Sequence, residues 1–280
     1  MRAWRESHDD NTLAWPDLAL SEYTLTRVHI SNDLVRSNFA PHDSHLSGHH
    51  SRNQRRSMGS TDGQSPPPPF RSPVKTWHND TYPAISPTRP ELSAHGKRVV
   101  ITGGGTGIGR ETAFAFATAG ASSIFLLGGR RAHVLEKTNE AIQKQHPNVQ
   151  VGYRALDIAD VKAVNEAAIV IGSFDILVLN AAYSPANQKL LDADFEELGE
   201  GWTTNVIGNI HVLRALLPNR NTNASVINVS TALVSLPTEM LGGKALTTGM
   251  KIFMVKMLEV LAVEVPDCFF VSFHPGASKY

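Results

Sequence analysis

The chain has 280 residues, of which 41% are hydrophobic, and its formal net charge at neutral pH is zero. This length allows one large or two ordinary domains, and the chain lacks the basic surplus of proteins that bind nucleic acids or anionic membranes. No apolar run reaches the roughly 18 residues of a membrane span. The single cysteine, Cys268, excludes an intramolecular disulfide and fits a reducing compartment. We therefore expect a cytoplasmic protein without nucleic-acid or membrane partners.

The composition changes near residue 93. Residues 1–92 have little hydrophobic periodicity, and the part from 38 to 91 is rich in serine, histidine and proline. Too few aliphatic side chains are present to offset the entropy of ordering this segment. Histidines at 42, 45, 49 and 50 have one acidic neighbour and no cysteine, so we expect no metal site there. We predict a disordered extension over 1–92 and a folded domain over 93–280.

From residue 97 onward, short apolar runs alternate with longer segments of helical periodicity. The runs that are typical of strands are 97–102, 122–128, 149–156, 174–180, 224–230 and 268–276. The helical segments between them are 110–120, 131–145, 160–171, 199–218 and 251–265. Alternating strands and helices imply right-handed crossovers. The predicted fold is therefore α/β, with a doubly wound parallel sheet of about six strands and helices on both faces.

A glycine-rich turn, GGGTGIG, joins the first predicted strand to the first helix. Glycines let the backbone approach a pyrophosphate closely, and the helix N-terminus supplies amide donors. The strand before the turn and the helix after it distinguish a dinucleotide site from a plain tight turn. We predict that the turn binds a dinucleotide through Gly103, Thr106, Gly107, Ile108 and Gly109.

The pattern Thr-Gly-x-x-x-Gly-Ile-Gly resembles the motif of the short-chain dehydrogenase/reductase family, and further family motifs follow in matching order. They are NAA at 180–182, like the family's Asn-Ala-Gly; Asn205, like the asparagine of its catalytic tetrad; INVST at 227–231; and HPG at 274–276. The resemblance spans about residues 95–280. It implies a Rossmann-like sheet, a nicotinamide cofactor, and a small-molecule carbonyl or secondary alcohol as substrate.

The end of the second strand bears on the choice of cofactor. An acidic residue there would bind the ribose 2′-hydroxyl of NAD, whereas this strand runs into GGRR. Because arginine pairs with phosphate in charge-assisted bonds, we expect NADP(H), with Arg130 as the main contact. The resemblance implies that Asp157 faces the adenine and that Asn180 borders the cofactor. Asp160 is better placed than Asp157 to cap the following helix.

In the family, a tyrosine transfers the proton at the substrate oxygen, and a lysine four residues later lowers its pKa and holds the nicotinamide ribose. No Tyr-x-x-x-Lys occurs in this sequence. Lys244 would place Met240 in the tyrosine position and would require a long helix interrupted by Gly249. Lys251 places Thr247 there and opens a helix that carries the family's Ala-x-Glu near its end. We therefore assign Lys251 and Thr247 to the site.

This substitution weakens the expected chemistry. A threonine hydroxyl does not ionise usefully near neutral pH, and positioned acid–base catalysis contributes about 10²–10⁴-fold, so only slow hydride transfer is expected. The hydroxyl that positions the substrate falls on Ser230 or Thr231, of which Thr231 corresponds to the family's active residue. Tyr183, directly after NAA, is an alternative source of a phenol, although a cleft-lining or packing role is favoured.

Two functional hypotheses stay open. The first is an NADP(H)-dependent oxidoreductase, with Lys251, Asn205 and Thr231 around the nicotinamide. The second is a non-catalytic NADP(H)-binding pseudoenzyme, or a decayed remnant, because Thr247 replaces the tyrosine.

Two further expectations follow from the resemblance. The sequence stops soon after Gly276, before the substrate-covering segment and the seventh strand of the family. We therefore expect a truncated member with an open sheet edge. A homo-oligomer also stays open.

Overall fold

The computed structural model describes residues 82–275, which are built around one sheet. The strands of this sheet are β1 Arg98–Thr102, β2 Ser123–Leu127, β3 Gln150–Arg154, β4 Phe174–Leu179, β5 Arg220–Val229 and β6 Phe269–Phe273. Their order is β3-β2-β1-β4-β5-β6, and each pair of neighbours is parallel. The predicted doubly wound, Rossmann-like parallel sheet is confirmed.

Helices cover both faces of the sheet, with bounds α1 Gly107–Thr118, α2 Ala132–Gln145, α3 Val161–Ile171, α4 Phe195–Trp202, α5 Asn209–Leu216 and α6 Ala245–Glu264. Side chains of α1 and α2 share a buried apolar cluster with Val99 and Ile101, whereas α3, α5 and α6 pack with Val100 in another. Neighbouring strand residues point to opposite faces, so the clusters lie on the two sides of the sheet. In this part of the chain, no helix is long and apolar enough to cross a membrane.

The predicted single helix over 199–218 is interrupted. After α4, residues Thr203–Gly208 form a π-helical segment before α5 begins. A π-helix has a wider turn than an α-helix and often lies at a functional site. The segment packs tightly, because a Cβ at Gly208 would lie 2.7 Å from Ile158 Cγ1. Hydrophobic periodicity does not distinguish such a segment from the helices on either side, and this one contains Asn205.

Helix α6 also differs from the prediction. It begins at Ala245, directly after Lys244, and runs through Gly249, so the expectation that this glycine interrupts the helix was wrong. No atom lies within 4 Å of a Cβ at Gly249, and an exposed helical glycine costs only about 1 kcal/mol relative to alanine. As a result, Thr247 and Lys251 lie on the same continuous helix.

The predicted N-terminal extension falls mostly outside the described residues, as do its histidine-rich part and the residues after Pro275. Of the extension, residues 82–92 are described, and they form two 3₁₀ turns, Pro83–Ile85 and Pro90–Leu92. Ala94 is buried, and its amide donates to Ala119 O at 2.8 Å. The domain boundary at residue 93 stays a prediction.

Candidate active site

A cleft of about 710 Å³ lies among the loops that follow the strands. The strand order reverses between β1 and β4, and such a reversal at the carboxyl ends of the strands is where doubly wound sheets bind ligands. The cleft brings together seven of the predicted cofactor residues: Gly103, Thr106, Gly107, Ile108, Arg130, Asp157 and Asn180.

The glycine turn owes its shape to backbone conformations and contacts that side chains would prevent. Gly103 and Gly107 have φ values of 67° and 51°, in the left-handed region that favours glycine. A Cβ at Gly109 would lie 2.3 Å from Gly103 O and 2.5 Å from Asn180 Nδ2. Gly109 does not line the cleft; instead it lets the start of α1 pack against the residues that do.

A buried threonine, Thr102, forms hydrogen bonds between the ends of two strands beside the cleft. Thr102 Oγ1 donates to Val178 O at 3.2 Å and accepts from the amides of Asn180 and Ala181 at 2.9 and 3.0 Å. Asn180 Nδ2 donates in return to Thr102 O at 3.0 Å. These bonds join the ends of β1 and β4. The role of Thr102 is not apparent from the sequence, where the only signal is a hydroxyl at the end of an apolar strand.

Arg130 lies at the edge of the cleft with a partner that the sequence analysis did not identify. Its Nη2 is 3.5 Å from Oε1 of Glu200, which lies on α4 and also lines the cleft. Both side chains are exposed, by 77% and 48% respectively. No motif connects these residues, which are far apart in the sequence. Only the fold places a carboxylate beside the predicted phosphate ligand.

The two aspartates after β3 have different positions. Asp157 lines the cleft, and its Oδ1 accepts from Ala159 N at 2.9 Å. Asp160 caps α3 by accepting from the amides of Lys162 and Ala163. The assignment of the helix cap to Asp160 is therefore confirmed, and Asp157 is left beside the cleft.

The side chain of Asn205 forms hydrogen bonds with the backbone of Tyr183. Its Oδ1 accepts from Tyr183 N at 2.7 Å, and its Nδ2 donates to Tyr183 O at 2.8 Å. Its own carbonyl accepts from Asn209 Nδ2 at 2.9 Å. Asn205 is buried and does not line the cleft, whereas Tyr183 does. In this arrangement Asn205 positions the backbone that follows NAA.

Tyr183 is poorly suited to replace the missing tyrosine. Its hydroxyl donates to Glu197 Oε1 at 3.4 Å. Burial, followed by the negative charges of Glu197 and Glu200, raises the pKa of Tyr183 above its ordinary value. A phenol with a raised pKa releases its proton less readily, so the geometry fits the cleft-lining role.

Lys251 lies on α6 and reaches back to β5. Its Nζ donates to Val229 O at 2.7 Å, and burial lowers the pKa of this amine from 10.5 to about 8. Thr247 is half-buried and lies one turn earlier, and residues four apart share one face of a helix. The threonine therefore occupies the position from which a side chain could approach the lysine.

The two candidate hydroxyls follow β5 directly. Ser230 is buried, its amide donates to Phe273 O at 2.8 Å, and its Oγ has no partner among the described residues. Thr231 is half-buried, and its Oγ1 accepts from Leu233 N at 3.4 Å at the start of a 3₁₀ turn. Thr231 is thus the more accessible of the two.

The predicted catalytic residues are not part of the cleft lining. None of Lys251, Asn205, Thr231, Ser230 and Thr247 lines it. Asn205 nevertheless contacts a residue of the cleft, because its Nδ2 donates to Tyr183 O. The same nitrogen lies 3.7 Å from Met250 Sδ on α6. Asn205 therefore lies between a residue of the cleft and α6, the helix that carries Thr247 and Lys251.

Replacing Lys251 with methionine is expected to change how stability depends on pH. Between pH 8 and 10.5 the unfolded chain binds more protons than the folded chain at this lysine, so the free energy of unfolding of the wild type rises with pH. The full rise is about 3 kcal/mol, at about 1.4 kcal/mol per pKa unit, and the variant lacks it. Urea denaturation at pH 7 and pH 10 measures the difference.

Lys137→Met is the control, because this lysine is exposed on α2, away from Lys251. It should show the same pH dependence as the wild type. Parallel pH curves for the wild type and Lys251→Met would contradict the lowered pKa.

Comparisons with known proteins agree with the motifs. The model of the short chain dehydrogenase family matches residues 97–266. The short chain dehydrogenase citE of Monascus ruber is 35% identical over 217 residues, which cover 72% of each chain. Among solved structures, the short chain dehydrogenase of Shigella flexneri has a TM-score of 0.62 at 22% identity, over 66% of this chain and 74% of that one.

A further solved structure, the NADPH-bound short chain oxidoreductase of Pseudomonas aeruginosa PAO1, contains an atypical catalytic centre. It has a TM-score of 0.58 at 23% identity, over 63% of this chain and 70% of that one. At these identities the solved structures support the fold alone. The family match and the citE relative go further, and the chain belongs to the short-chain dehydrogenase/reductase family of oxidoreductases.

Proposed function

We propose that this protein is an NADP(H)-dependent oxidoreductase that acts on the carbonyl or secondary alcohol of a small molecule. The observation that carries the proposal is one cleft lined both by the glycine turn and by Arg130. The turn fits a pyrophosphate, because left-handed glycines bring the backbone close to the cleft without side chains in the way. Arg130 supplies the charge for a 2′-phosphate.

Each part of the cofactor has a candidate ligand on this chain. The glycine turn would bind the pyrophosphate, Arg130 the 2′-phosphate and Asp157 the adenine. Asn180 and Lys251 would bind the nicotinamide ribose. The NADPH in the Pseudomonas aeruginosa structure of the same fold supports this choice of nucleotide. When bound, the cofactor supplies or accepts the hydride.

The chain's own residues orient the substrate and handle its proton. Thr231 offers a half-buried hydroxyl to the substrate oxygen. Thr247 can donate a hydrogen bond, but it transfers a proton poorly, so we propose slow turnover. The non-catalytic alternative rests on Thr247 alone, and the oxidoreductase relatives do not favour it.

Titration with NADPH and with NADH, followed by fluorescence, tests the cofactor assignment. NADPH is expected to bind more tightly. Replacing Arg130 with alanine should weaken NADPH binding by about 10- to 100-fold, because a hydrogen bond to a charged group contributes about 1.5–3 kcal/mol. NADH binding should hardly change.

The nearby Arg131→Ala variant is the control, since Arg131 does not line the cleft. Failure of the wild type to bind either nucleotide would overturn the proposed function.

We also propose that two copies of the chain pair through a groove of about 950 Å³ between α5 and α6. The groove is lined largely by apolar side chains, among them the exposed Ile252, Phe253 and Val260. A two-fold pairing of this face would remove these side chains from water. A cytoplasmic location is proposed because Cys268 is a free, buried thiol.

Sedimentation velocity checks the pairing. Phe253→Asp is expected to shift a dimer to the monomer, since a charge in the groove opposes its burial. Val263→Asp, on the same helix and 80% exposed but outside the groove, should remain dimeric. A monomeric wild type at micromolar concentration would contradict the pairing.

A further inference from the structure

Glu200 lies beside Arg130, the proposed ligand of the cofactor's 2′-phosphate. Its carboxylate is 3.5 Å from Arg130 Nη2, and both residues line the cleft. The end of β2, where an acidic residue would favour NAD, carries Gly128, Gly129 and Arg130 instead. A carboxylate therefore does reach this part of the cleft, but it comes from α4.

We propose that Glu200 modulates cofactor specificity by competing with the 2′-phosphate for the guanidinium of Arg130. This proposal rests on the proposed NADP(H)-dependent function. The competition reduces the cleft's preference for NADP(H) over NAD(H). This preference is therefore smaller than Arg130 alone would give.

The carboxylate of Glu200 and the 2′-phosphate compete for the same donors of Arg130. A guanidinium presents its N–H donors in a planar fork that fits a carboxylate and a phosphate equally well. A phosphate that approaches Arg130 must displace Glu200 and is also repelled by its negative charge. NADH lacks this phosphate and meets neither obstacle.

The magnitude of the competition follows from exposure. Arg130 and Glu200 are 77% and 48% exposed, and ion pairs between exposed side chains contribute little to stability. The pair therefore breaks readily and does not block the cleft. Its effect is a graded change in the ratio of the two nucleotide affinities, of about 3- to 10-fold.

The fold holds Glu200 at this place through α4. Asp194 caps the helix by accepting from Glu196 N at 2.9 Å. One turn before Glu200, Glu197 accepts from Ala186 N at 2.6 Å and from Gln188 Nε2 at 2.8 Å. These bonds fasten the helix to the loop that follows Tyr183. The carboxylate of Glu200 is left to face Arg130.

The test is fluorescence titration of NADPH and NADH against the wild type, Glu200→Gln and Glu196→Gln. Glu200→Gln is expected to tighten NADPH binding by about 3- to 10-fold and to leave NADH binding within about 2-fold. Glu196→Gln removes the same charge from an exposed position on α4 outside the cleft and should change neither affinity. An unchanged NADPH to NADH ratio in Glu200→Gln would overturn the inference.

A second pair of variants isolates the role of Arg130. In an Arg130→Ala background, Glu200→Gln should tighten NADPH binding by less than it does in the wild type, because no guanidinium remains to compete for. An undiminished effect would refute the competition. If NADPH binds with an affinity that does not depend on Glu200, this inference is wrong but the proposed function stands. If neither nucleotide binds, the proposed function is wrong as well.

Discussion

Replacing Thr247 with tyrosine is expected to raise kcat for ketone reduction by about 10²- to 10⁴-fold, the usual contribution of positioned acid–base catalysis. The new phenol would lie one helical turn before Lys251, on the same face of α6. The pKa of that lysine is lowered to about 8, so near pH 7 it is mostly charged and favours the phenolate. The decrease in NADPH absorbance across a panel of ketones measures the gain.

Two variants control this experiment. Thr247→Phe adds a ring without a hydroxyl and should remain as slow as the wild type. Lys251→Met combined with Thr247→Tyr should lose most of the gain, because the phenol then lacks its neighbouring amine. Wild-type turnover as fast as that of the tyrosine variant would refute the idea that Thr247 limits the chemistry.

Replacing Gly109 with alanine is expected to lower the free energy of unfolding by about 1–3 kcal/mol, the typical cost of forcing extra atoms into a packed site. The added Cβ would lie 2.3 Å from Gly103 O and 2.5 Å from Asn180 Nδ2. Gly103 O is a backbone atom and cannot move away without shifting the glycine turn, and moving Asn180 Nδ2 would break its hydrogen bond to Thr102 O. Urea denaturation should show the loss of stability, and NADPH titration should show weaker binding.

Gly199→Ala is the matched control for this substitution. Gly199 lies in α4, and no atom would be within 4 Å of its Cβ. Alanine there should leave stability unchanged or raise it by up to about 1 kcal/mol. If Gly109→Ala unfolded at the same urea concentration as the wild type, the proposed role of the close contact would be wrong.

Most of the fold was predictable because its signals are local. Each strand contains a short apolar run and most helices repeat their apolar residues at helical spacing, so both can be recognised without knowledge of their neighbours. The polar start of β5, from Arg220 to Asn223, is an exception. The π-helical segment Thr203–Gly208 and the early start of α6 at Ala245 were not predicted. Both depend on how these segments pack against other elements, and periodicity does not record that packing.

The candidate site divides in the same way. The glycine turn and Arg130 could be named from motif and charge, and Asp157 from the family resemblance. The cleft brings the three together. Thr102 and Glu200 could not be named, because their importance lies in contacts with residues distant in the sequence. The roles of the predicted catalytic residues stay predictions.

The sequence alone was enough to predict the family resemblance and the parallel sheet. It also showed that no tyrosine lies four residues before a lysine. These depend on residue identity and spacing, which local chemistry makes interpretable. Only the folded chain shows that Asn205 forms hydrogen bonds with the backbone of Tyr183, that burial lowers the pKa of Lys251, and that Glu200 faces Arg130. Those features arise from distances and burial, which exist only once the strands and helices have packed.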